Sequence, residues 1–177
     1  AHPGHYQGGE VIGELRGNFV VDWILEDGRE LGKATLIAAN YDAANFTFER
    51  ASDQHVAADD PLLGHTAILQ GTAQKDGVTT AFTIIVDTPA DRVLVGAPFD
   101  ANIDEDATGS LRLHFNTRDE FEGDTIFDDI DFSTLDTDGD GTLVIAPSSS
   151  EAMTQEAYNL FRRTFQTHDH YSITHQE

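Results

Sequence analysis

The sequence predicts a mainly β protein, an antiparallel β-sandwich with one amphipathic helix near its C-terminus. Three observations carry that expectation. From Gly9 to about residue 116 apolar residues recur at every second position, the period of a sheet with one buried face. Asp-Gly dipeptides punctuate those runs as turns do. After Ser148 the apolar spacing becomes helical.

The elements follow in order. Phe19, Val21, Trp23 and Leu25 alternate with other residues and form one candidate inward face. Asp27-Gly28 separates that run from a strand expected near Leu31. Phe46 and Phe48 mark the next strand. Asp76-Gly77 joins the run through Ala73 to one from Val78, in which Val78, Thr80, Phe82, Ile84 and Val86 share a face. Leu111, Leu113 and Phe115 repeat the pattern, with Arg112 and His114 opposite. Roughly seven or eight such strands fit an immunoglobulin-like or jelly-roll-like sandwich. No helical stretch intervenes, which argues against a parallel α/β sheet.

Asp128 to Asp136 reads as a short helix or turn. Ser148 with Glu151 fits a capping box, and Met153, Ala157, Leu160, Phe161 and Phe165 form the stripe of a helix over 148–166. Residues from Thr167 onward read as a tail or a final short strand. The expected organisation is one domain over 1–177. It has a β-rich core at 9–116, an acidic loop region at 128–147, the helix, and a histidine-containing tail at 167–177.

The formal charge of −22 excludes function classes. Such a surface repels nucleic acid and anionic membranes, so neither is an expected partner. Aspartate outnumbers glutamate 21 to 11, and lysine is confined to Lys33 and Lys75. Solubility or a saline habitat accounts for most of these charges; only clustered ones need another cause. No apolar run approaches the ~20 residues of a membrane helix. The absence of cysteine removes disulfides, thiolate metal sites and cysteine nucleophiles. Ala1 as first residue reads as a processed N-terminus, and hence a secreted or periplasmic protein.

One cluster does need a cause. In Asp136-Thr137-Asp138-Gly139-Asp140-Gly141 the acids alternate and glycine holds the sixth position. The stretch resembles the first half of an EF-hand calcium loop, in which those carboxylates converge and the seventh residue offers its carbonyl. Here that residue is Thr142. The resemblance implies a structural calcium site of Asp136, Asp138, Asp140 and Thr142. An EF-hand ends with a bidentate glutamate at the twelfth position, where this chain has Pro147, and Val144 occupies the ninth. Either another acid completes the shell, with Glu151 one candidate and Asp129 and Asp131 upstream the others, or the loop binds weakly. Phe99 to Ser110 also alternates acids, but Glu105 stands where the turning glycine belongs, so it reads as an ordinary acidic loop.

Five of eight histidines lie near the termini: His2, His5, His168, His170 and His175. Imidazole suits copper, zinc and nickel, and His168 and His170 would face one side of an extended strand. They are the candidate ligands of a copper or zinc site, with His114 an occasional extra. With no cysteine and Met153 as the only methionine, a soft Cu(I) carrier is disfavoured. His55 and His65 flank a polar loop without a specific role, and the Asn45-Phe46-Thr47 sequon falls within an expected strand.

No nucleophile elbow, zincin motif, phosphate loop or dinucleotide fingerprint is present. With 32 acids some close carboxylate pair is nearly inevitable, so a glycosidase-like pair carries no evidential force. Glu122 to Ile145, EGDTIFDDIDFSTLDTDGDGTLVI, with the β-rich front and terminal histidines, resembles secreted β-sandwich proteins associated with methanobactin and copper uptake. That resemblance implies periplasmic copper binding without catalysis. The expectation is thus a non-enzymatic metal-binding protein with structural calcium and a copper or zinc site. The alternative is a calcium-stabilised cell-surface module for a carbohydrate or protein.

Overall fold

The computed structural model describes residues 12–90, 92–119 and 122–176. Its elements are β1 (Gly13–Glu14), β2 (Thr35–Leu36), β3 (Ala39–Phe48), β4 (Ala67–Lys75), β5 (Val78–Val86), β6 (Arg92–Ile103) and β7 (Ser110–Phe115). After them come α1 (Phe132–Leu135), β8 (Thr142–Ile145), α2 (Ala152–Phe165), a 3₁₀ turn (His168–His170) and β9 (Tyr171–Gln176). The fold is mainly β, with the expected helix near the C-terminus. The chain divides into two compact units, one of residues 1–47, 93–123 and 167–177, the other of 48–92 and 124–166.

In the first unit β1 pairs with β2, β3 with β6, and β7 antiparallel with β9. Tyr41, Phe99, Ala101 and Ile103 form its buried core, and Leu111 of β7 and Ile173 of β9 pack against them. Two small sheets thus share one apolar filling, as the layers of a sandwich do. The Tyr41 hydroxyl lies 2.9 Å from the carbonyls of both Ile12 and Ile37, so a buried polar tip is satisfied. Tyr171 is 2% exposed and packs edge-on against Phe46; burial pushes its phenol well above the ordinary value.

The second unit holds a three-stranded sheet of order β4-β5-β8. The β4–β5 hairpin pairs Lys75 with Val78 across Asp76 and Gly77, whose φ values of 52° and 83° are those a tight two-residue hairpin turn requires. Thr80, Ile84 and Val86 are buried as their alternation predicts. β8 pairs with β5 in parallel, so the purely antiparallel expectation needs correction there. Helix α2 buries Thr154, Ala157, Tyr158, Phe161 and Phe165. Phe161 lies between the rings of Phe127 and Phe165, with centroids at 5.9 and 6.2 Å. Full burial of one such side chain contributes about 1.5–3 kcal/mol.

Three local expectations are corrected. Residues 19–25 form no strand, and Leu25 is 84% exposed. The carboxylate of Asp22 accepts from the N–H groups of Ile24 and Leu25, a local bond that competes with any ladder. Nor is there a strand near Leu31; the next begins at Thr35. The helix starts at Ala152 with Glu151 as its N-cap, and Glu151 makes no side-chain cap bond. The capping box fails because the chain before the helix makes its own turn, in which Ser149 Oγ accepts from the N–H of Ala146 at 3.0 Å. Met153, assigned to the apolar stripe, is half-exposed.

Candidate metal site

The acidic loop runs from the end of α1 to the start of β8, wholly within the second unit. Its position follows from its two anchors. Upstream, Asp131 caps α1 by accepting from Thr134 N–H, and its other oxygen pairs with Lys75 at the end of β4, 2.5 Å away. Lys75 and then Ser133 hold the Asp131 carboxyl well below the usual carboxylate range. Downstream, the Gly141 carbonyl accepts from Ala81 N–H at 2.8 Å, which starts the β5–β8 pairing.

Between the anchors the chain folds around its own carboxylates. Asp136 accepts from Gly139 N–H at 3.0 Å through one oxygen and from Gly141 N–H at 2.9 Å through the other. Asp138 accepts from Asp140 N–H at 3.3 Å. Asp140 accepts from the N–H and the hydroxyl of Thr142 at 2.7 and 2.6 Å, and these bonds, the hydroxyl's first, lower its pKa. Gly139 and Gly141 have φ of 69° and 82°, in the region that favours glycine. Asp136, Asp138 and Asp140 each offer an oxygen within 4.8 Å of the others. Each carboxylate oxygen has more than one acceptor direction, so these internal bonds leave lone pairs for a cation.

Glu151 lies outside that convergent group, but both its oxygens are 3.3 Å from the Thr137 hydroxyl inside the loop. Asp131 is engaged by Lys75, and Asp129 is exposed with a φ of 63°. Asp100 and Asn102 of the weaker acidic stretch lie on β6 rather than in a loop.

The histidines are placed differently from the expectation. His2 and His5 lie outside the described residues. His168 and His170 sit on a 3₁₀ turn, not an extended strand. His170 is 2% exposed, and its Nδ1 is 2.9 Å from the Asn116 carbonyl, which can only accept, so that nitrogen carries the proton. His168 Nδ1 is 3.1 Å from its neighbour Asp169, and His175 is half-buried on β9. His114 Nε2 is 2.9 Å from the Thr174 hydroxyl. Among the described residues no histidine belongs to a convergent group of three metal-ligating side chains.

Sequence reading missed two polar clusters. Asp119, Glu122 and Asp124 each offer an oxygen within 4.8 Å of the others, with Asp119 buried. The second cluster centres on Asp87. His65 Nδ1 meets Asp87 at 2.7 Å, Arg50 lies 3.7 Å from the other Asp87 oxygen, and the Tyr158 hydroxyl is 3.3 Å from the Asp87 backbone. The signal was available: the Asp76-Gly77 turn fixes the register that pairs Ala67 with Val86, and so carries His65 beside Asp87. No family model, curated protein or solved structure matches this chain.

Proposed function

We propose that the protein is a secreted or periplasmic, non-enzymatic calcium-binding β protein. The ion is held by the carboxylates of Asp136, Asp138 and Asp140 and the carbonyl of Thr142, and Glu151 completes the shell. The observation that supports this above all is the convergence of three carboxylates within 4.8 Å in a loop turned by two left-handed glycines. Like charges so close disfavour one another, and a divalent cation reverses that sign. Oxygen donors of mixed kind in an irregular shell suit calcium; magnesium demands a near-octahedral shell and keeps its water.

The loop lacks the bidentate glutamate at its twelfth position, so its affinity falls in the weak class, Kd about 10⁻⁴–10⁻³ M, useful where calcium is abundant outside the cell. Because the loop links α1 to β8, the ion acts as a staple of the second unit rather than as a switch. The histidines take no part in this reading; among the described residues none of them belongs to a convergent group of three metal-ligating side chains.

Thermal unfolding of chelator-treated protein, with and without calcium, tests the proposal. At calcium about a hundredfold above Kd, binding stabilises by about 2.7 kcal/mol, several degrees in the midpoint. Magnesium gives a smaller rise. An unchanged midpoint in calcium overturns the proposal.

A further inference from the structure

Residues 22–29 form a turn that calcium binding does not use. Asp22 Oδ1 accepts from the N–H of Ile24 and of Leu25, both at 2.9 Å. Glu26 accepts from Asp22 N–H at 3.1 Å and from the Arg29 guanidinium at 2.7 Å. Arg29 also reaches the Val20 carbonyl at 3.0 Å. Backbone bonds from Glu26 to Asp22 and from Arg29 to Glu26 close the turn. It is held by its own acids before anything touches it.

What the turn presents is apolar. Ile24 and Leu25 are each 84% exposed, the highest values among the described large hydrophobic residues. Trp23, 44% exposed, rests its ring against Phe115 of β7, centroids 5.8 Å apart. A single exposed leucine is ordinary. Adjacent isoleucine and leucine beside a tryptophan, on a turn ordered in advance, make an anchor whose burial carries little further ordering cost.

The neighbouring charges select the occupant. Asp22, Glu26, Asp27 and Glu30 flank the tip, and the one cation there, Arg29, is engaged by Glu26. Anionic lipid and nucleic acid are repelled, and a second copy of the chain brings the same acids and the same −22 charge. The complementary surface is apolar at its centre and basic at its rim.

We propose that the Trp23–Leu25 turn is a docking element for a partner protein carrying an apolar pocket rimmed with lysine or arginine. This goes beyond calcium binding and does not depend on it.

Trp23 is the only tryptophan, so tryptophan emission reads this turn alone. The probe is a phage-displayed library of short random peptides, selected on the full chain and, in parallel, on the double variant Ile24→Ser/Leu25→Ser. Both changes are at exposed positions and keep the charge; circular dichroism confirms an unchanged fold, and Leu25→Ala serves as a milder second variant. The expected result is enrichment of peptides joining basic with aromatic or aliphatic residues. They bind the parent chain about tenfold or more tighter than the double variant and shift Trp23 emission to the blue. Equal binding to parent and variant, or no enrichment, overturns the proposal. So does a blue shift with phosphatidylcholine vesicles alone, which assigns the turn to lipid, or self-association lost in the variant, which assigns it to a second copy.

Discussion

The carboxylate of Asp140 takes both the backbone N–H and the hydroxyl of Thr142 on a single oxygen, at 2.7 and 2.6 Å. Its second oxygen is thereby left for a cation. Thr142 is also the first residue of β8, so one side chain ties the ligand geometry to the sheet. Thr142→Val keeps the β-branched shape and removes the hydroxyl. Calcium affinity is expected to fall several-fold while the midpoint of the calcium-free protein changes little, as titration and thermal melts of the variant would show.

The same contact sets a pH dependence. Asp140 has a folded pKa below its ordinary value of 3.8, so its contribution is present above that value and lost as pH falls through the lower one. The calcium-induced rise in melting midpoint should persist from neutral pH down to about 5 and shrink below about 4. A rise that survives unchanged at pH 3 would disconnect it from the carboxylates.

Gly141 isolates backbone geometry from space. A Cβ there would meet only the Thr79 carbonyl oxygen, at 3.8 Å, an ordinary contact, yet φ is 82°. Gly141→Ala should therefore destabilise by about 1–2 kcal/mol through backbone strain alone and weaken calcium binding with it. Urea unfolding with and without calcium reads both effects.

Phe161 is fully buried between Phe127 and Phe165. Phe161→Ala should cost about 3–5 kcal/mol in urea unfolding, far more than Met153→Ala on the half-exposed side of the same helix.

The Lys75–Asp131 pair is exposed, but Asp131 also accepts from Ser133 and Thr134 at the start of α1. Asp131→Ala should lower the melting midpoint more than Lys75→Met, because it removes a helix cap as well as an ion pair. Equal effects would show that capping contributes nothing.

The sequence shows its structure wherever one local rule acts alone. β5 was legible because its alternation holds at Thr80, Ile84 and Val86, although Val78 beside the turn is 54% exposed. Its hairpin was legible because Asp76 and Gly77 both adopt the left-handed conformations that such a turn needs. The acidic loop was legible because its hydrogen bonds are made within seven consecutive residues. The alternation from Phe19 to Leu25 misled, since Asp22 bonds the N–H groups that a ladder would have used. The parallel pairing of β8 with β5 is set by contacts some sixty residues apart in sequence, which no periodicity encodes. The burial of His170 was not legible because it depends on where β7 and β9 place Asn116.

Calorimetric titration of calcium into chelator-stripped protein, run in parallel on the parent chain and on Asp138→Asn, tests the central claim most directly. The account predicts one calcium per chain for the parent, with Kd about 10⁻⁴–10⁻³ M, and at least a tenfold loss in the variant, whose fold is unchanged. Binding of equal strength in both, or none in the parent, would contradict it.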